Sequence, residues 1–244
     1  MPINKYISAI GLELEGGWES RPQYKSRTIR IEPDGSVNTG MTYQGEAISP
    51  HQGFKSLRGL FIWMNAVYPE KINNTCGFHI HTSFKDNGIY SRLMHPMFED
   101  YFINHWTKWG KIHMMKSYES HRQFWARLKG ENTFCLKQFT PYQQIIYEGK
   151  QGNRYTQLNF TFKRFNTIEC RTLPMFKEPE MAELAIINLV NIYSNFIDRY
   201  NKKMKAFNVA SITSTIVSKV KDLVETISNE ESTIQGGPLV CVLS

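Results

Sequence analysis

The chain has 244 residues, 41% of them hydrophobic, and 29 lysines and arginines stand against 22 aspartates and glutamates for a net charge of +7. That length suits one globular domain with a sizeable core, and no apolar run reaches the roughly 18 residues a membrane span needs. The opening "MPINKYISAI" lacks the apolar core of a signal peptide and no C-x-x-C pairs occur among Cys76, Cys135, Cys170 and Cys241, so a cytoplasmic chain with reduced thiols is expected.

In chain order, strand patterns cover residues 7–15, 28–32 and 41–48, and "EPDGS" (32–36) supplies turn chemistry for a hairpin between the last two. Residues 52–68 place Phe54, Leu57, Phe61, Met64 and Val67 at three- and four-residue steps, which predicts an amphipathic helix. A further strand runs through "FHIHTSF". Residues 89–129 then take helical spacing with an interruption near Gly110, and Trp106, Trp109 and Trp125 read as packing residues. Strands are predicted at 154–163 and 165–173, followed by a long helix from about residue 178 to 200 with Pro179 in its first turn. This order predicts an α+β fold, a mainly antiparallel sheet with helices packed on one face.

Within a strand, residues two apart share a face. Glu13 and Glu15 therefore point together, opposite Leu12 and Leu14. The same holds for His79 and His81 opposite Phe78 and Ile80, and for Glu169 and Arg171 opposite Ile168 and Cys170. In "LNFTFK", Asn159, Thr161 and Lys163 lie opposite Leu158, Phe160 and Phe162. A sheet with one wet face accounts for Thr161 and Lys163. It accounts poorly for glutamates, histidines and an arginine gathered beside glycines, because solvated strand faces favour other residues. Clustered carboxylates repel unless a cation sits among them, so a divalent metal is implied, with magnesium, manganese and zinc all compatible with the donors.

Four separated elements resemble the amidoligase family, carboxylate–amine ligases related to glutamine synthetase and glutamate–cysteine ligase. "GLELEGG" is similar to the family's G-x-E-x-E strand, and "EPDGSV" with "GEAISP" to its D-x-S turn and E-x-x-S-P strand end. "NNTCGFHIHTSF" resembles its C-G-x-H-x-H strand, and "RYTQLNF" with "NTIECRTL" its R-x-x-x-x-N and T-I-E-x-R pair. The likeness spans roughly residues 7–175 in family order.

The resemblance implies a glutamine synthetase-like catalytic domain over residues 1–205 that binds ATP through Mg²⁺, with Mn²⁺ as a substitute. On that basis Glu13, Glu15, Glu46, His79 and Glu169 are the implied metal ligands and Arg171 faces the transferred γ-phosphate. Arg154 is placed with Arg171 as catalytic. Asp34, Ser36, His81 and Asn159 become nucleotide or substrate contacts. From the residues alone, Glu46 reads as a strand-end solvent residue as readily as a ligand, and His81 reads as a support for the ligands rather than a ligand. The implied reaction joins a carboxylate to an amine through an acyl phosphate. The substrates would be small molecules or peptides, selected by loops and by the segment 89–150.

The likeness fades after Pro174. Residues 209–227 space Val209, Ile212, Ile216, Val220, Leu223 and Ile227 as a helical stripe, so 206–228 is expected to dock on the core or on a partner, and 229–244 to be a flexible tail. The final "CVLS" around Cys241 fits a prenylation pattern but lacks an adjacent polybasic stretch and is read as coincidence. Two other classes fit parts of the sequence. A zinc hydrolase would use Cys76, His79, His81 and the glutamates. A basic nucleic-acid-binding module would use "HMMKSYESHRQFWARLK" (113–129), here read as a helix with a solvated basic face, and would leave the acidic set without a purpose.

Overall fold

The computed structural model describes residues 3–116, 120–137, 155–160 and 166–234, except the side chains of 208–214, 216 and 223–234. The chain divides into two units, Met1–Ile197 and Asp198–Ser244. The sheet lies in the first.

Its longest strand, β1 (Ile7–Trp18), alternates as the sequence predicts. Leu12 and Leu14 are buried on one side, and Glu13 and Glu15 share the other. The short β2 (Gln23–Tyr24) and β3 (Arg27–Thr28) form a separate hairpin. Lys25 and Ser26, both at positive φ, turn that hairpin, and the predicted strand at 28–32 is split: Thr28 ends β3, while β4 (Ile31–Glu32) joins the main sheet. β5 (Tyr43–Ile48) pairs with β4, as the predicted hairpin requires, and on its other edge with β1. Next comes helix α1 (Leu57–Val67), capped by Ser56, whose hydroxyl accepts from the Gly59 amide at 3.2 Å. It buries Leu60, Trp63, Met64 and Val67, a face rotated slightly from the predicted stripe.

β6 (Gly77–Phe84) pairs with β1 on one side and with β10 (Ile168–Pro174) on the other, while the short β9 (Leu158–Phe160) closes the edge. The six-stranded order is β4-β5-β1-β6-β10-β9, with every pairing antiparallel. Helices α2 (Gly88–Leu93), α3 (Pro96–His113) and α4 (His121–Lys129) fill the connection after β6. A small hairpin of β7 (Glu131–Asn132) and β8 (Cys135–Leu136) follows them.

The last helix, α5 (Pro179–Ile234), is continuous where the sequence pattern separates two helices and then a tail from residue 229. Neither glycine nor proline interrupts residues 180–234, so nothing in the backbone chemistry ends it there. Of the predicted stripe, only the side chain of Val220 is described, and it is exposed. The Val209, Ile212, Ile216, Leu223 and Ile227 side chains, and Cys241, lie outside the described residues. No helix among the described residues is long and apolar enough to cross a membrane.

Aromatic rings from the helices cover the apolar sheet face. Phe84 of β6 meets Tyr193 of α5 edge-on at 5.3 Å, and Tyr193 stacks on Phe98 of α3 at 5.7 Å. Trp106 and Trp109 are buried among these rings and Phe124, as packing residues. Gly110 does not interrupt α3, which continues to His113. The glycine is there because Phe124 presses on the helix at that point, and a Cβ would lie 2.3 Å from its ring.

Gly110→Ala therefore sets helix propensity, which favours alanine by about 1 kcal/mol, against an overpacked contact costing about 1–3 kcal/mol. The clash is expected to win, giving a lower urea midpoint than wild type. A midpoint above wild type would contradict this packing.

Candidate metal centre

Antiparallel register brings the polar residues into one row. Glu15 stands opposite Glu46, and Glu13 opposite His79. His81 stands opposite Glu169, and Glu169 opposite Asn159. Directly opposed residues share a face, so β5, β1, β6, β10 and β9 each contribute to one polar surface. Glu15, His79 and Glu169 are buried there, at 4%, 1% and 5% exposure. These are not solvated strand residues.

His79 sits among three carboxylates. Its Nδ1 is 3.1 Å from Glu13 Oε2 and 3.7 Å from Glu169 Oε1, and its Nε2 is 3.4 Å from Glu15 Oε1. Nε2 is nevertheless fully buried without a hydrogen-bond partner, an open donor or acceptor position at the centre of the cluster. His81 Nε2 lies 3.1 Å from Glu13 Oε1, and its Nδ1 lies 3.3 Å from the Thr167 hydroxyl. Glu15 accepts from the Gly77 amide. Glu169 accepts from Asn159 Nδ2 at 3.0 Å and from Arg171 Nη1. Arg171 is held further by the Phe134 carbonyl, 3.5 Å from its Nε, and by the Tyr155 ring 5.4 Å beneath it.

The electrostatics are those of a crowded acidic site. Burial, then the charges of Glu13, Glu15 and Asp34, push the Glu46 carboxyl up to about 8. For Glu13 burial acts upward, but hydrogen bonds from His79 and His81 outweigh it and hold the carboxyl well below its usual range. Burial would lower the His81 pKa, and contact with Glu13 raises it instead. Burial likewise opposes the charge of Arg171, and Glu169 reverses the effect. One carboxyl of the row thus retains its proton near neutrality, as expected of like charges without an added cation.

The donors fit such a cation. Three groups, Glu13–Glu46–His79, Glu13–His81–Glu169 and Glu15–Asp34–Glu46, each offer ligand atoms within 4.8 Å of one another. Ligands about 2.0–2.6 Å from a shared divalent ion have separations of that order. Glu13 and Glu46 each belong to two groups, so neighbouring ions would share them.

Of the residues singled out from sequence, Glu13, Glu15, Glu46, His79 and Glu169 all enter these groups, joined by Asp34 and His81. Ser36 instead donates its backbone amide and hydroxyl to Asp34 Oδ1, both at 2.6 Å, forming the turn that aims Asp34. Asn159 supports Glu169. Arg154, Thr161 and Lys163 lie outside the described residues. Cys76 is not among the donors; its thiol donates to Asn73 Oδ1 at 3.3 Å, and burial pushes it up to about 11.

Sequence reasoning missed Arg127. The segment 113–129 was expected to present a solvated basic face, yet Arg127 is 1% exposed. Its position was signalled by helical spacing, since Phe124, Arg127 and Leu128 share one face and all three are buried. Compared with protein-family models, curated proteins and solved structures, the chain matches none.

Glu46 gives the site a pH signature. An unfolded chain releases this proton near 4.5, whereas the metal-free fold holds it to about 8. Its contribution to folding is therefore complete below about 4.5 and is lost as pH rises through about 8. Without metal, the wild-type urea midpoint should fall relative to Glu46→Gln between pH 5 and 8. Parallel pH profiles of the two proteins would contradict this.

Proposed function

We propose that this protein is an ATP-dependent carboxylate–amine ligase of the amidoligase type, with a glutamine synthetase-like catalytic sheet. The observation that carries the reading is the continuous row of acidic and imidazole donors across adjacent strands, with overlapping metal-sized groups and Arg171 at one end. A single catalytic zinc needs about three protein ligands. Overlapping groups that share carboxylates suit several hard ions clamping a polyphosphate.

In this reading Glu13, Glu15, Glu46, His79 and Glu169 hold Mg²⁺ or Mn²⁺, and Asp34 and His81 complete the groups. The bound ions would neutralise phosphate oxygens and orient them for transfer. Arg171 stays charged under the influence of Glu169, and the Phe134 carbonyl and Tyr155 ring fix the plane of its guanidinium. It is suited to pair with phosphoryl oxygens as negative charge shifts among them. The substrate carboxylate would take the γ-phosphoryl group of ATP, and an amine would displace phosphate from the resulting acyl phosphate to give an amide.

Neither alternative class gains comparable support. A zinc hydrolase loses the thiolate of Cys76 as a donor. A nucleic-acid-binding module built on residues 113–129 loses Arg127 of α4 to the interior.

The test is calorimetric titration of ATP with excess Mg²⁺ into wild type and into Glu15→Gln/Glu169→Gln. Wild type is expected to bind, and the folded double variant to bind at least about tenfold more weakly. ADP release in the presence of amine and carboxylate pairs would then identify the substrates. No binding by folded wild type, with Mn²⁺ also tried, would sink the ATP-dependent reading.

A further inference from the structure

Arg127 reaches the polar sheet face from outside the sheet. Its helix, α4, is fixed by Phe124, which packs edge-on against Trp106 at 6.3 Å and meets Trp109 at 5.6 Å. The last turn of α4 is tied down separately, because Gln157 Nε2 donates to the carbonyls of Arg127 and Leu128 at 3.0 and 2.6 Å. The side chain therefore projects from a backbone held at two points.

Its guanidinium bridges the segment leading into β6, whose Gly77 amide holds Glu15, and β10, which carries the buried Glu169. Nη2 donates to the Thr75 carbonyl at 3.4 Å, just before β6, and Nη1 donates to the Arg171 carbonyl at 3.2 Å on β10. Thr75 lies two residues before Gly77, whose amide holds Glu15. Arg171 lies where the register between β10 and β6 shifts, between Cys170 and Leu173. There the Arg171 amide turns to the Gln157 carbonyl, at 2.9 Å, and its own carbonyl to Arg127. A bulge leaves backbone groups that need such partners.

Gly77 makes the approach feasible. A Cβ there would lie 2.6 Å from His79 Nε2 and 3.2 Å from both Arg127 Nη1 and Nη2. The absence of a side chain lets the guanidinium settle beside the central imidazole, and Glu15 is among the charges that offset it. Meanwhile Nε is buried without a hydrogen-bond partner. Among the described residues, the hydrogen bonds of the guanidinium are those to the Thr75 and Arg171 carbonyls.

We infer that Arg127 is a positioning residue of the metal centre, setting Glu15 through the Thr75–Gly77 backbone and the Glu169–Arg171 pair through the Arg171 carbonyl. The inference rests on the reading that this acidic face holds divalent cations. Lysine retains the charge of Arg127 but not its two-pronged reach, so Arg127→Lys separates positioning from charge.

Mn²⁺ binding, followed by the loss of the free-ion paramagnetic resonance signal, is measured on wild type, Arg127→Lys, Glu15→Gln and the double variant. Circular dichroism and thermal melting check each fold. Arg127→Lys is expected to weaken Mn²⁺ binding about tenfold. In the Glu15→Gln background the same change should cost no more than about twofold, because part of what it positions has already been removed. A simple fold-stabilising role predicts effects that multiply. Multiplying effects, or wild-type affinity in Arg127→Lys, would overturn the inference while leaving the metal reading intact. Wild type that takes up no Mn²⁺ would overturn both. Should Arg127→Lys fail to fold, the wild-type Arg127 Nε–Hε magnetic resonance signal decides. A shift on saturation with Mg²⁺ supports the coupling, and an unchanged signal refutes it.

Discussion

The structure depends on a mutual repulsion that it does not relieve by itself. Glu15 and Glu46 stand opposite one another on neighbouring antiparallel strands, with Glu13 and Asp34 close by; Glu15 is buried and the other three are half-buried. Like charges directly opposed across a sheet are unfavourable, and burial magnifies the cost. The chain meets part of it with His79 and His81 against Glu13, with Arg171 against Glu169, and with a proton retained on Glu46. The orphaned Nε2 of His79 marks where that compensation stops.

The opposite sheet face makes this concentration of charge affordable. Leu12, Leu14, Phe78, Ile80, Ile168 and Cys170 are all buried on it, and aromatic rings from α3 and α5 pack nearby. Each strand thus contributes hydrophobic burial through alternate residues and chemistry through the others. Moving any one strand by a single residue would exchange the two sets, so the register that builds the core also builds the candidate site.

Much of this was legible in the sequence because two-residue alternation is a short-range signal. Glu13 and Glu15, His79 and His81, and Glu169 and Arg171 declare their shared faces within a few residues, and β1, β6 and β10 hold them so. The choice of neighbours was not legible, since Glu15 meets Glu46 through strand pairing across a long loop. Two-residue strands such as β2, β3, β7 and β8 are too short to show a period. Gly110 looked like a break because a helix glycine is ambiguous until its packing partner, Phe124, is known. Arg127 looked like surface because basic residues usually are, although the helical position between Phe124 and Leu128 turned it inward.

We infer that strand register makes the acidic row a divalent-cation site. Anomalous diffraction from crystals grown with Mn²⁺ tests it most directly. At least one strong peak is expected about 2.0–2.6 Å from a carboxylate oxygen of Glu13 or Glu46, with His79 or His81 alongside. Well-ordered crystals at saturating Mn²⁺ that show no peak on this face, or peaks only at exposed carboxylates elsewhere, would contradict it.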